Sequence, residues 1–122
     1  MSGKDIQYFF TMREQIKLYH WQTKSFSRHK ATDNVIDALD ENIDKYVEVY
    51  MGKYGRVEFE GEGTIILKNT KDLELNTFIK ENLEFLKSLN EELNPSNDSD
   101  LLNVRDEIMG KINKLRYLLS LK

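Results

Sequence analysis

The segment from residue 28 to residue 54 limits the possible folds more than any other part of the sequence. It contains no proline, and its first glycine is Gly52. Its apolar residues recur at steps of three and four, the spacing of a helix with one buried face: Ile36, Leu39, Ile43, Val47 and Tyr50. The pattern predicts the longest helix of the chain.

Three further segments carry the same spacing and predict helices over about residues 6–23, 73–93 and 100–121. The Ser-Phe-Ser sequence at 25–27 separates the first two helices, since its hydroxyls suit turns and N-caps. Pro95 cannot continue a helix and ends the third one. The fourth helix is expected to take its cap from one of three residues: Asn97, Ser99 or Asp100.

The connection between the second and third helices is the long one. Residues 55–71 place Gly61 and Gly63 among alternating and β-branched residues, which predicts either a short hairpin or an extended crossover. A connection of this length can cross a whole bundle, as in ferritin-like folds. The predicted fold class is therefore all-α: one ferritin-like four-helix domain over residues 1–122, with a plain up-down-up-down bundle as the alternative.

Composition narrows the function classes. The 122 residues suffice for one domain, and the net charge of −3 without a basic block argues against nucleic-acid binding. There is no cysteine, which excludes thiolate metal sites. No apolar run approaches the roughly 20 residues of a membrane span, and the N-terminus lacks a signal-peptide core. We therefore expect an intracellular protein with no membrane partner.

Carboxylates follow one face of the second predicted helix: Asp33, Asp37, Asp40, Asp44 and Glu48. At about 100° per residue, Asp40 and Asp44 lie within about 20° of Asp33 around the helix. The only two histidines, His20 and His29, fall at the N-terminal end of this stripe. A solvated acidic face is the simpler interpretation, but Lys45 is the only base between residues 30 and 53 that could offset the acids.

The spacing along this stripe predicts a metal site shared between two chains. Asp33 and Asp44 lie about 16 Å apart along a helix, whereas metal–ligand bonds measure about 2 Å. Two copies of the helix, antiparallel about a twofold axis near Asp40, would bring Asp33 of one chain to the acids of the other. Each site of this homodimer would use five residues: His20, His29 and Asp33 of one chain, and Asp44 and Glu48 of the other. Oxygen and imidazole ligands favour Fe, with Mn or Zn as alternatives.

These residues resemble the iron-oxidising site of the DNA-protection-during-starvation (Dps) mini-ferritins. A His-Trp pair at 20–21 precedes His29, Asp33 follows four residues later, and Asp44 and Glu48 come fifteen and nineteen residues after His29. Residues 97–119 are more loosely similar to the last helix of that family. The resemblance implies metal ligation by the five residues above, and Fe(II) oxidation by O2 or peroxide for iron storage or oxidative protection. Three residues are expected close to the site: Trp21, Asp37 and Asp40.

The resemblance also leaves alternatives open. The segment between His20 and His29 is shorter than in the Dps family, so His20 could instead be a buried core histidine bonded to a carbonyl or an acid. The chain has no Lys-rich N-terminal arm, so DNA binding is not expected, and a dodecameric cage stays an open question. Short Dps-like proteins of large DNA viruses and phages are also similar, which extends the expected location to a host cytoplasm or a virion. The alternative function is a non-catalytic structural or interaction protein with vestigial or zinc-filled sites.

Overall fold

The computed structural model describes residues 1–121, which form four long helices and no strands. The helices are α1 (Gly3–Gln22), α2 (Phe26–Tyr54), α3 (Leu75–Ser88) and α4 (Ser99–Leu119). Single 3₁₀ turns occupy Thr70–Asp72 and Leu89–Glu91. The all-α prediction is confirmed, and the hairpin considered for residues 55–71 does not form. No helix within residues 1–121 is long and apolar enough to cross a membrane.

The helix ends follow local hydrogen bonds that periodicity alone does not predict. Ser25 caps α2, as its hydroxyl accepts a hydrogen bond from the Arg28 N–H at 3.3 Å. Glu74 caps α3 by accepting from the Asn76 and Thr77 amides, so α3 begins at Leu75 rather than at residue 73. The end of α3 tightens into the 3₁₀ turn, as is common at helix termini, so its α-helical part stops at Ser88 rather than near residue 93.

The prediction of the α4 cap was wrong, because Asp98 occupies that position. Its buried carboxylate accepts hydrogen bonds from the Asn94 N–H at 2.8 Å and from the Tyr54 hydroxyl. Lys53 also binds Asp98 at 3.1 Å and Asp100 at 2.8 Å. The end of α2 is thereby tied to the start of α4, so these two helices run antiparallel.

Buried side chains from all four helices meet in one core. The largest fully buried ones include Met12 and Ile16 of α1, Leu39 and Tyr46 of α2, Leu86 of α3, and Leu101, Ile108 and Ile112 of α4. Helix α2 packs against α1 and α4, and α4 also packs against α3. Phe85 of α3 stacks on Tyr8 of α1 with ring centroids 4.2 Å apart, which brings α3 against α1. Each such buried aliphatic side chain stabilises the fold by about 1.5–3 kcal/mol.

The connector between α2 and α3 runs along α1. Near its start, the Phe59 ring lies so close to Gly3 that a Cβ there would be 2.9 Å from it. Further on, Gln15 hydrogen-bonds both backbone groups of Lys68, and Gln22 receives the Thr70 N–H at 2.8 Å. The chain thus passes from the start of α1 to its end before α3 begins.

Candidate metal-binding site at the turn between α1 and α2

The two histidines meet at the turn between α1 and α2. His20 lies three residues before Thr23, the C-cap residue of α1, and His29 lies four residues after Ser25, the N-cap residue of α2. Since the two helices are antiparallel and joined by a short link, these positions fall at the same level. The imidazole rings stack with centroids 3.9 Å apart and planes inclined by 17°.

Each imidazole is held by the backbone of the other residue. Nδ1 of His20 lies 2.9 Å from the His29 carbonyl oxygen, and Nδ1 of His29 lies 2.9 Å from the His20 carbonyl oxygen. A carbonyl oxygen can only accept, so both Nδ1 atoms carry the proton. In the neutral rings, both Nε2 lone pairs are therefore available as metal donors, the arrangement typical of metal-binding histidines.

Asp33 is the acid closest to the pair. Its Oδ1 lies 4.0 Å from His20 Nε2, which is longer than a hydrogen bond. Asp33 and His29 are exposed, whereas His20 is buried. The shortened loop therefore still brings His20 beside His29 and Asp33. His20 also has the features of the alternative interpretation, since it is buried and its Nδ1 is hydrogen-bonded to a carbonyl oxygen.

The remaining acids of the stripe do not reach the histidines within one chain. Asp40 forms an ion pair with Arg13 of α1 at 2.7 Å. Asp37, Asp44 and Glu48 are exposed along α2. Within residues 1–121, no group of three or more His, Asp or Glu side chains is arranged to hold a metal ion.

Two neighbours of the site were not identified from the sequence. The Thr32 hydroxyl lies 2.9 Å from His20 Nδ1 and itself bonds the carbonyls of Arg28 and His29 at 3.0 Å. The Arg28 guanidinium donates to the Tyr19 hydroxyl at 2.8 Å. Thr32 follows His29 by three residues, a spacing that places both on one side of a helix. This spacing could have identified Thr32 as a neighbour of the histidines from the sequence.

Aromatic side chains are exposed on both sides of the turn. Trp21 is 68% exposed and Phe26 is 75% exposed. Lys17 lies over the Trp21 ring at 5.4 Å, and Lys30 lies over the Phe26 ring at 5.7 Å. Aromatic residues are enriched in protein–protein interfaces relative to the rest of a protein surface.

Comparison with known proteins identifies a family for the chain. A family of unknown function (DUF5856) matches residues 20–119, a range that includes all five predicted ligands. A protein of Enterobacteria phage T4, described as an uncharacterized 14.6 kDa protein in the mobD-ri intergenic region, is 33% identical over 105 residues. That alignment covers 84% of this chain and 75% of the phage protein. No solved structure matches significantly. The chain therefore belongs to the family of unknown function DUF5856.

Proposed function

We propose that the protein is a ferritin-like, Dps-type protein that binds Fe(II) between two copies of the chain and oxidises it with O2 or peroxide. The observation that carries the proposal is the stacked histidine pair, whose Nε2 atoms are free while the Nδ1 atoms are tied to carbonyls. Such an oxidation would serve iron storage, iron detoxification or oxidative protection.

The path of the chain supports a ferritin-like bundle. The connector follows α1 over its whole length, from Gly3 to Gln22, and reaches the turn between α1 and α2. Leu75 at the start of α3, and Leu73 two residues before it, line a groove with Arg28 at the start of α2. Helices α2 and α3 therefore start at the same end of the bundle, which is the connectivity that a long crossover produces.

A second copy of the chain would complete the donor set. Asp44 lies about 16 Å along α2 from Asp33, and it is exposed, as is Glu48. An antiparallel partner helix would bring these two carboxylates to the histidine pair of the other chain, twice per dimer. The Arg13–Asp40 ion pair would then lie near the twofold axis, where it reduces repulsion between the two acidic stripes.

The donors fit Fe(II), which accepts a mixture of imidazole and carboxylate ligands and is the substrate here. In this arrangement, His20 and His29 supply neutral nitrogen donors, and Asp33 supplies a carboxylate from the same chain. Asp44 and Glu48 of the second chain supply the remaining negative charge, which stabilises the Fe(III) product relative to Fe(II). Peroxide would take one electron from each of two Fe(II) ions and two protons, and would leave as water. Mn and Zn suit the same donors.

The test is Fe(II) oxidation by the purified protein. Fe(II) is added without oxygen, air or peroxide is admitted, and the Fe(III) absorbance is followed. We expect faster oxidation than in buffer, and loss of this acceleration in an Asp44→Ala/Glu48→Ala variant. The matched control is Glu81→Ala/Glu84→Ala, which removes two exposed acids from α3. Equal rates for the wild type and the Asp44→Ala/Glu48→Ala variant would refute the proposal.

Mixing two inactive variants tests whether the site is shared. His29→Ala/Asp33→Ala chains and Asp44→Ala/Glu48→Ala chains are unfolded, mixed in equal amounts and refolded. A mixed dimer keeps one intact site, so random pairing should restore about one quarter of the wild-type rate. A site contained in a single chain would give no restoration, and a strict monomer in light scattering would exclude the shared site.

A non-catalytic role is the second candidate, and a specific observation favours it. The reciprocal histidine–carbonyl bonds fasten the turn between α1 and α2 whether or not a metal binds. The phage T4 relative also fits a virus-associated structural or interaction protein. Under this alternative, Fe(II) oxidation in the presence of the wild-type protein is no faster than in buffer, and His29→Ala lowers the melting temperature. Added Zn(II) stabilises the fold if the site holds zinc, and has no effect if the site is vestigial.

A further inference from the structure

A cleft of about 680 Å³ lies beside the turn between α1 and α2, against the 3₁₀ turn of the connector. Its volume falls in the range of small-molecule sites, about 300–1,000 Å³. Three cationic side chains line it, and we call it the basic cleft: Lys24, Arg28 and Lys71. None of the five predicted metal ligands lines the basic cleft.

The charge of the basic cleft is unusual for this protein. The chain has 21 acidic and 18 Lys and Arg residues, yet no carboxylate lines the basic cleft. Each of the other four clefts described contains at least one glutamate. Among residues 1–121, none of the three cations forms an ion pair with a carboxylate. Their positive charge is therefore available to an anion.

Neutral donors accompany the cations. The Arg28 guanidinium uses one N–H on the buried Tyr19 hydroxyl, which fixes its position and leaves its other N–H groups available. The Thr70 hydroxyl is buried in the wall and has no hydrogen-bond partner within the described part of the chain. Thr23 and Ser25 also line the basic cleft, where their hydroxyl oxygens already accept hydrogen bonds from the Ser25 and Arg28 amides, so they can offer a ligand only their O–H groups. The first turn of α2 contains no acid, so the positive end of its dipole is not neutralised there.

We propose that the basic cleft binds a phosphate group, carried by a small phosphate ester or present as free phosphate. Three cations and several hydroxyl donors match an anion that has two negative charges and several acceptor oxygens. The volume exceeds that of a phosphate ion several-fold, so an organic part as large as a nucleoside has room beside the phosphate. This site is independent of the proposed metal site, because it uses different side chains.

Calorimetric titration of the metal-free protein at low salt tests the proposal with AMP, inorganic phosphate and adenosine. We expect AMP to bind and adenosine not to bind. Inorganic phosphate distinguishes the two sources, since binding weaker than that of AMP indicates an ester and equal binding indicates free phosphate. Absence of heat for both AMP and phosphate at millimolar concentration would overturn the proposal.

A matched pair of variants locates the binding. Lys24→Gln/Lys71→Gln should weaken AMP binding at least about tenfold, as two charge-assisted hydrogen bonds are lost. Lys111→Gln/Lys114→Gln removes the same charge from a cleft that also contains Glu41 and Glu107, and it should leave binding unchanged. Equal weakening by the two variants would overturn the site. Fe(II) oxidation by Lys24→Gln/Lys71→Gln is measured in parallel, so the two proposals fail separately.

Discussion

Gln15 fastens the connector to α1, so Gln15→Met is expected to destabilise the protein. The side chain is 3% exposed, its Nε2 donates to the Lys68 carbonyl at 2.8 Å, and its Oε1 accepts from the Lys68 N–H at 2.9 Å. Methionine keeps the length and volume of glutamine but makes neither bond. At about 1 kcal/mol per hydrogen bond, the loss of both should lower the free energy of unfolding by about 2 kcal/mol. For a domain of this size, the melting temperature should fall by roughly 6–12 °C.

Gln22→Met is the matched control. Gln22 also bonds the connector twice, to the Asn69 side chain at 3.0 Å and to the Thr70 N–H at 2.8 Å, but it is exposed. Water replaces these bonds in the variant, so we expect a loss below about 0.5 kcal/mol. Urea denaturation gives both values, and hydrogen exchange of the Lys68 amide shows whether the connector has come away from α1. Equal losses for the two variants, or a Lys68 amide still protected in Gln15→Met, would refute the reasoning.

Two further predictions concern glycine substitutions and pH. A Cβ at Gly110, inside α4, would meet no neighbour within 4 Å, so Gly110→Ala should stabilise the fold by about 0.5–1 kcal/mol. Gly55→Ala should destabilise the fold, because Gly55 has φ +91°. Thermal denaturation of both variants should therefore show a higher melting temperature for Gly110→Ala and a lower one for Gly55→Ala. The hydrogen bonds from the Tyr54 hydroxyl and the Asn94 amide lower the pKa of Asp98 in the folded protein. Ionised Asp98 therefore stabilises the fold at pH values above its pKa in the unfolded chain, about 4. This stabilisation is lost as the pH falls through the lower pKa of the folded state. The melting temperatures of wild type and Asp98→Asn should therefore differ most near pH 6 and converge towards pH 2.5, and parallel pH profiles would contradict the assignment.

The histidine site was partly predictable. Residue spacing predicted that Asp44 lies too far along α2 to share a metal with Asp33 in one chain, because the rise of a helix is constant. Whether His20 would reach His29 was left open, since the outcome depends on how α1 and α2 pack across a short link. The ring stacking and the crossed Nδ1–carbonyl bonds appear only in the folded chain.

The four helices and the all-α class follow from the amino-acid sequence, because apolar periodicity and the placement of Gly and Pro are local properties of the chain. The sequence also predicts that the acids of α2 share one face. The position of the connector and the side chains that hold it become visible only in the folded chain, since Gln15 and Lys68 are 53 residues apart and no local pattern links them. The same holds for the cap of α4, where Asp98 was selected by Tyr54 and Lys53 of another helix. Contacts between distant segments depend on how the helices pack, and the spacing of apolar residues along the chain reports only local structure.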